Sequence, residues 1–136
     1  MIRRELATFF TALGYFTRLP VPVPGWVGYS PDGLARAARY LPLIGLLVGG
    51  VGALVFWLAS QVWAQPVAVV LSMVATIALT GAFHEDGLAD TADGLGGGWD
   101  KAKILAIMKD SRVGSYGVIA IVLALLGKFV LLSTLP

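Results

Sequence analysis

Asp86, Asp90 and Asp93 stand at i, i+4 and i+7 within the stretch His84-Glu85-Asp86-Gly87-Leu88-Ala89-Asp90-Thr91-Ala92-Asp93-Gly94. On a helix this spacing stacks three carboxylates on one face, where they repel one another unless a cation sits among them. Hard divalent cations take oxygen ligands, and Mg²⁺ is usually shared between a few carboxylates and the phosphates of a substrate. The chemistry this predicts is Mg²⁺-assisted phosphoryl transfer, with Asp86, Asp90 and Asp93 as the metal ligands. The plainer alternative is an acidic, solvated connection between membrane helices. Glu85 points about 100° away from Asp86 on a helix, so it is the weaker ligand and is open to work as an acid or base. His84, the single histidine of the chain, is open to roles as phosphate donor, metal ligand or proton carrier.

A second dense patch follows: Lys109-Asp110-Ser111-Arg112-Val113-Gly114-Ser115-Tyr116-Gly117. Arginine grips phosphate oxygens with a fork and lysine acts as a point charge. A carboxylate beside them can complete a metal shell or orient a nucleophile, and Ser111 adds a hydroxyl. Anchoring by positive charge explains Lys109 and Arg112 but leaves Asp110 without a role. Between the two patches, Gly94, Gly96, Gly97 and Gly98 read as a permissive loop over 94–99. Its backbone could approach phosphate, or it could be a flexible linker. It is not a P-loop, because no Gly-Lys-Ser/Thr follows. Lys128 lies inside a long apolar run, which is costly unless it faces a protein-lined cavity or snorkels to an interface.

The elements that must position these groups are membrane helices. The chain of 136 residues is 57% hydrophobic and 13% charged, with a mean hydropathy of +0.82. Soluble domains are near a quarter charged. The expected fold is all-α: a polytopic integral membrane protein with about three transmembrane helices, an N-terminal interfacial helix and a cytoplasmic helix bearing the acidic motif. Residues 1–136 read as a single membrane domain. The chain holds no cysteine, which excludes disulfides and thiolate metal sites. Its basic residues form no stripe among aromatics, so no nucleic acid is expected as a partner.

Residues 4–18 read as an amphipathic helix too short to span, with Leu6, Phe9, Phe10, Leu13 and Phe16 on one side. Arg4, Thr8, Thr11, Tyr15 and Arg18 fall on the other. Alternating prolines over 19–25 exclude a helix. Ser30 and Pro31 read as N-cap and first position of the next one. Spans are expected over 41–63, 67–83 and 115–135, with Gly45, Gly49 and Gly52 as a close-packing face. A short helix with Lys101 and Lys103 exposed is expected over 100–108. Arg3, Arg4, Arg18, Arg36 and Arg39 lie before the first span, and Lys101, Lys103, Lys109 and Arg112 lie before the last. The turn over 60–66 has no charge. The positive-inside rule therefore predicts that both charged regions, and the acidic motif with them, face the cytoplasm.

The chain resembles the cobalamin synthases, the adenosylcobinamide-GDP ribazoletransferases. The stretches that carry the resemblance are Phe16-Thr17-Arg18-Leu19-Pro20-Val21-Pro22, Arg39-Tyr40-Leu41-Pro42-Leu43-Ile44-Gly45, the acidic motif over 84–94, and Met108-Lys109-Asp110-Ser111-Arg112-Val113-Gly114. They occur in the family's order across nearly the whole chain. The resemblance implies a Mg²⁺-dependent transferase that joins adenosylcobinamide-GDP to α-ribazole or its 5′-phosphate, giving adenosylcobalamin or its 5′-phosphate and GMP. It implies a multi-pass protein of the bacterial or archaeal inner membrane. Family members continue with further hydrophobic segments, so the chain reads as the N-terminal part of a longer enzyme.

On this reading Asp86, Asp90 and Asp93 hold Mg²⁺. Lys109 and Arg112 stabilise charge, and Asp110 or Glu85 accepts the proton of the attacking hydroxyl. His84, Gly94, Gly96, Gly97, Ser111 and Lys128 bind substrate. The lipid bilayer is a partner, and a homo-oligomer is compatible with the sequence. Two alternatives stand beside it. A membrane divalent-cation transporter would also place carboxylates near a helix end. An enzyme like the CDP-alcohol phosphotransferases would share aspartates on membrane helices, but Asp86-Gly87 is followed here by Leu88-Ala89-Asp90 rather than that group's Asp-Gly-x-x-Ala-Arg.

Overall fold

The computed structural model describes residues 2–21 and 31–135. Every regular element among them is a helix: α1 (Ile2–Phe16), α2 (Pro31–Ala37), α3 (Leu41–Ser60), α4 (Gln65–Thr80), α5 (Phe83–Gly97), α6 (Lys101–Met108) and α7 (Ser115–Ser133), with a 3₁₀ turn over Ala38–Tyr40 joining α2 to α3. The all-helical membrane fold expected from the sequence is what the structure has. Two stretches are long and apolar enough to cross a membrane, Asp32–Ser60 and Ser115–Ser133. Only 11% and 6% of their most apolar windows are buried within the chain, so their Leu, Val and Trp side chains face outward, as lipid-facing residues do.

The middle span differs from the expectation. Helix α4 has 16 residues, about 24 Å at 1.5 Å per residue, which is short of a ~30 Å hydrocarbon core. It stops at Gly81, whose φ of +67° closes the helix with its N–H donating to the Ala78 and Ile77 carbonyls. Ala82 follows at φ +60°, a left-handed conformation that costs a non-glycine residue roughly 1–2 kcal/mol. These two residues turn the chain by 84° into α5. The pair α4–α5 is therefore a broken span or a re-entrant turn, with the acidic helix as its second arm.

The N-terminal segment braces this break. The Arg18 backbone N–H donates to the Leu79 carbonyl at 2.7 Å, and the Arg18 side chain covers Gly81 so closely that a Cβ there would overlap it. Tyr15 and Phe16 meet Phe83 edge to face, with centroids 5.5 and 5.6 Å apart. Helix α1 packs on α2 and the start of α3 around Ala12, Leu13, Ala37 and Ile44. Its buried face includes Thr8 and Thr11, which the sequence placed on the polar side, while Leu6 is exposed. Each threonine hydroxyl donates to the carbonyl four residues back, Arg4 and Ala7. This satisfies the polar atom and leaves the methyl to pack. Arg39 and the Tyr40 hydroxyl both donate to Glu5, tying the amphipathic helix to the first span.

Of the glycine face expected on α3, Gly52 alone meets α4. A Cβ there would lie 2.8 Å from Thr76, and Ser72 donates to the Gly52 carbonyl at 2.8 Å. Gly45 and Gly49 have nothing within 4 Å of a would-be Cβ and line cavities instead. The N-cap expected at Ser30 and the prolines at 22 and 24 lie outside the described residues.

Candidate active site

Helix α5 runs antiparallel to α7. Near its C-terminal end, Asp93 reaches the first turn of α7. One turn back, the Ala89 carbonyl lies beside Gly117. Further back, Asp86 and Asp90 share a cavity with Ile121, and His84 and Glu85 share others with Lys128. The acidic helix is therefore not the solvated connection of the plainer alternative but lies along the last span from Gly114 to Lys128. Lys128 is thirteen residues into α7, about 20 Å along the axis, and the start of α5 lies beside it.

Asp86 and Asp90 line a cavity of about 410 Å³ together with Lys109, Asp110 and Ser111, walled by Ala89, Met108, Val113 and Ile121. Folding thus brings the acidic motif and the second dense patch to one place. Lys109 ends α6, and the following turn swings Asp110 and Ser111 under α5. Helix α6 starts where Asp100 caps it, accepting from the Lys103 N–H at 2.9 Å, and Lys101 and Lys103 are exposed as expected.

Asp93 does not join that cavity. It is 9% exposed, and its carboxylate accepts from the Gly114 N–H at 2.7 Å and the Gly117 N–H at 2.8 Å. These are unsatisfied donors at the N-terminus of α7, where the helix dipole favours a negative charge. A Cβ at either glycine would overlap this carboxylate. Spacing alone made Asp93 a third metal ligand, but in the fold it anchors α7. Among the described residues no three His, Asp or Glu side chains lie close enough to hold one metal ion together. Two helical carboxylates facing one cavity, with a third across it, still suit a hard cation that draws its remaining ligands from substrate phosphates.

Arg112 is turned toward Asp110 rather than into the cavity. Its Nε donates to both carboxylate oxygens at 3.1 and 3.2 Å, and a terminal nitrogen donates at 2.7 Å. Its side chain is 87% exposed. The side-chain hydrogen bonds from Arg112, with a backbone hydrogen bond from the same residue, hold the Asp110 carboxyl below the usual carboxylate range.

The loop expected over 94–99 is helical as far as Gly97, so the N–H groups of Gly94, Gly96 and Gly97 belong to the helix ladder rather than to a phosphate cradle. The reason is close packing. A Cβ at Gly94 would lie 2.7 Å from Met108, and one at Gly96 would run into the Tyr116 ring. Only without side chains there can α6 and α7 approach α5. His84 is exposed and packs edge-on against Phe83 at 5.6 Å. His84, Glu85 and Lys128 line two cavities of about 280 and 180 Å³, which are separate from the one holding Asp86 and Asp90. Sequence reasoning missed Gly117 as half of the cradle for Asp93, and Gly81-Ala82 as the hinge. The three-residue step from Gly114 to Gly117, opening an apolar run, was the available signal for the first.

Comparison with known proteins agrees with the motifs that line this site. Residues 8–136 match the model of the cobalamin-5-phosphate synthase family. The chain is 59% identical over 133 residues to an adenosylcobinamide-GDP ribazoletransferase of Shewanella amazonensis, covering 98% of this chain and 50% of that protein. Enzymes of the same name from Leptothrix cholodnii and Ralstonia nicotianae are 61% and 56% identical, over 87% and 98% of this chain and 44% and 52% of their own lengths. The chain thus spans about half the length of the curated relatives it matches. No solved structure matches it. With a family model covering it from the first helix to the last residue, and relatives above half identity, the chain belongs to the cobalamin-5-phosphate synthase family.

Proposed function

We propose that this chain carries the phosphoryl-transfer site of a transferase in coenzyme B12 assembly, acting on adenosylcobinamide-GDP and α-ribazole or its 5′-phosphate. The observation that carries this reading is the cavity shared by Asp86 and Asp90 from one helix with Lys109, Asp110 and Ser111 from another segment. A ribose hydroxyl attacks the phosphorus that bears the cobinamide aminopropanol oxygen. A new O–P bond forms, the P–O bond of the pyrophosphate bridge breaks, and GMP leaves with the bridging oxygen. The products are adenosylcobalamin, or its 5′-phosphate, and GMP.

Asp86 and Asp90 would hold Mg²⁺, which when bound neutralises the charge that grows on the leaving phosphate. Lys109 adds a point charge on the opposite wall. Ser111 offers a hydroxyl to a phosphate oxygen. The hydroxyl proton goes to a carboxylate, and of the two sequence candidates only Asp110 lines this cavity. Arg112 keeps it ionised, which makes it a ready though weak acceptor at neutral pH. Arg112 acts here through Asp110 rather than on phosphate.

The distribution of Lys and Arg supports a cytoplasmic face in a bacterial inner membrane, where nucleotides and Mg²⁺ are abundant. The experiment is GMP release from adenosylcobinamide-GDP and α-ribazole by membranes carrying the full-length protein, with and without Mg²⁺. Release that needs both substrates and the metal supports the proposal. Metal flux without GMP would instead make the acidic face a transport site.

A further inference from the structure

We infer that Glu85 and Lys128 are partners in an ion pair within the helix assembly, which pins the first turn of α5 to the middle of α7 and so sets the position of Asp86 and Asp90. Three observations carry this. The Glu85 Oε2 is buried and has no hydrogen-bond partner, a costly state for a carboxylate oxygen. Lys128 is the single charged residue of α7, a candidate span of mean hydropathy 2.2, where a lone ammonium is equally costly. Both residues line the same two cavities, of about 280 and 180 Å³, with His84 beside them in both and Thr80 in the larger.

Neither Glu85 nor Lys128 is among the described residues that form ion pairs in this structure, which include Arg39 with Glu5 and Arg112 with Asp110. The space between them is cavity, and lysine's flexible four-carbon stem lets the ammonium swing toward the acid. Each group removes the other's desolvation problem. Glu85 directly precedes Asp86, so a fixed Glu85 fixes the rotation of the whole acidic face. Lys128 is on this account a positioning residue, on a different cavity from the reacting groups.

The sign of a double-mutant comparison tests the pair. Glu85 is half-buried and Lys128 stands on the outer surface of an apolar span, so at that depth in a membrane removing one charge leaves the other without a partner, which is worse than removing both. Glu85→Gln and Lys128→Met should each lower the melting temperature of the full-length protein in detergent by several degrees, and the double variant should melt above either single one. This chain has no cysteine of its own; in full-length protein otherwise free of cysteine, a short bifunctional thiol reagent should bridge Glu85→Cys and Lys128→Cys.

Activity, a readout that rests on the reaction proposed above, separates positioning from folding. Well below the melting temperature, Lys128→Met should lower kcat/KM at least about tenfold, and Lys128→Arg should recover it to within about threefold. Losses in melting temperature that add in the double variant, or absence of a thiol bridge, would overturn the pair. These two readouts use no substrate, so they stand or fall apart from the proposed reaction. Lys128→Arg no better than Lys128→Met would overturn the positioning role.

Discussion

Replacing Asp93 by Asn separates its anchoring of α7 from the metal-ligand role that the spacing gave to all three aspartates. Its carboxylate accepts two backbone N–H groups at 2.7 and 2.8 Å at the start of α7. An amide keeps one acceptor and turns an NH₂ toward the other donor. The variant loses a charge-assisted hydrogen bond, worth about 1.5–3 kcal/mol, and leaves a buried N–H facing a donor, at a cost of about 1–3 kcal/mol. The two overlap, and with the lost dipole interaction of about 0.3–1 kcal/mol the expected loss is about 2–4 kcal/mol. Asp90 lines the open cavity with no hydrogen bond to lose, so Asp90→Asn should change stability by less than about 0.5 kcal/mol. Thermal melting in detergent, followed by tryptophan fluorescence, reads both. Asp93→Asn should melt several degrees lower, and Asp90→Asn should melt with the wild type yet release little GMP. An Asp93→Asn protein that melts like the wild type but is inactive would refute the anchoring role and return Asp93 to the chemistry.

The hinge gives a second test. Gly81→Ala places a Cβ at φ +67° against Arg18 and should destabilise by more than the roughly 1–2 kcal/mol of the left-handed conformation alone. Ala82→Gly relieves that conformation and should be neutral or stabilising in the same melting assay. Asp110 is held below its ordinary 3.8 by Arg112, so what its charge contributes is complete above that value and lost only as pH falls through the lowered one. GMP release should therefore show no Asp110 titration from about pH 6 to about pH 9, and Arg112→Ala should move the acid limb of the profile upward; an unmoved limb would count against it. For orientation, single cysteines at Ser60 and Trp99 (98% exposed) should label from outside and inside the cell respectively; the reverse pattern would sink the cytoplasmic placement.

The membrane helices were legible because their signal is local: a long uncharged run announces a span whatever surrounds it. Pairing of the acidic motif with the patch from Lys109 to Ser111 was legible as chemistry, since carboxylates and cations with no structural reason ask for a common ligand. Asp93 was not separable from Asp90 by spacing. A residue seven along is only about 20° off the same face, but it is about 10 Å further along the axis, far enough to meet Gly114 and Gly117 instead of the cavity. The glycines over 94–97 read as loop because glycine weakens helices. Tertiary contact reversed that preference, since Met108 and Tyr116 need the space. Thr8 and Thr11 hid in the buried face because a hydroxyl bonded to its own helix counts as apolar. The 84° break rests on Gly81 together with Ala82, a residue with no turn preference, with Arg18 packed over Gly81 and the Tyr15 and Phe16 rings against Phe83.

If the cavity between α5 and the turn after α6 is where the pyrophosphate sits, substrate must shield the residues that line it. Ser111 lines it and is exposed, and Trp99 lies outside it. In otherwise cysteine-free full-length protein, a Ser111→Cys thiol should react with a charged methanethiosulfonate, and adenosylcobinamide-GDP with Mg²⁺ should slow that reaction by at least about tenfold. Labelling of Trp99→Cys should be unaffected by the same additions. Equal labelling of Ser111→Cys with and without substrate, in protein that still releases GMP, would place the reaction elsewhere and contradict the site described for this chain.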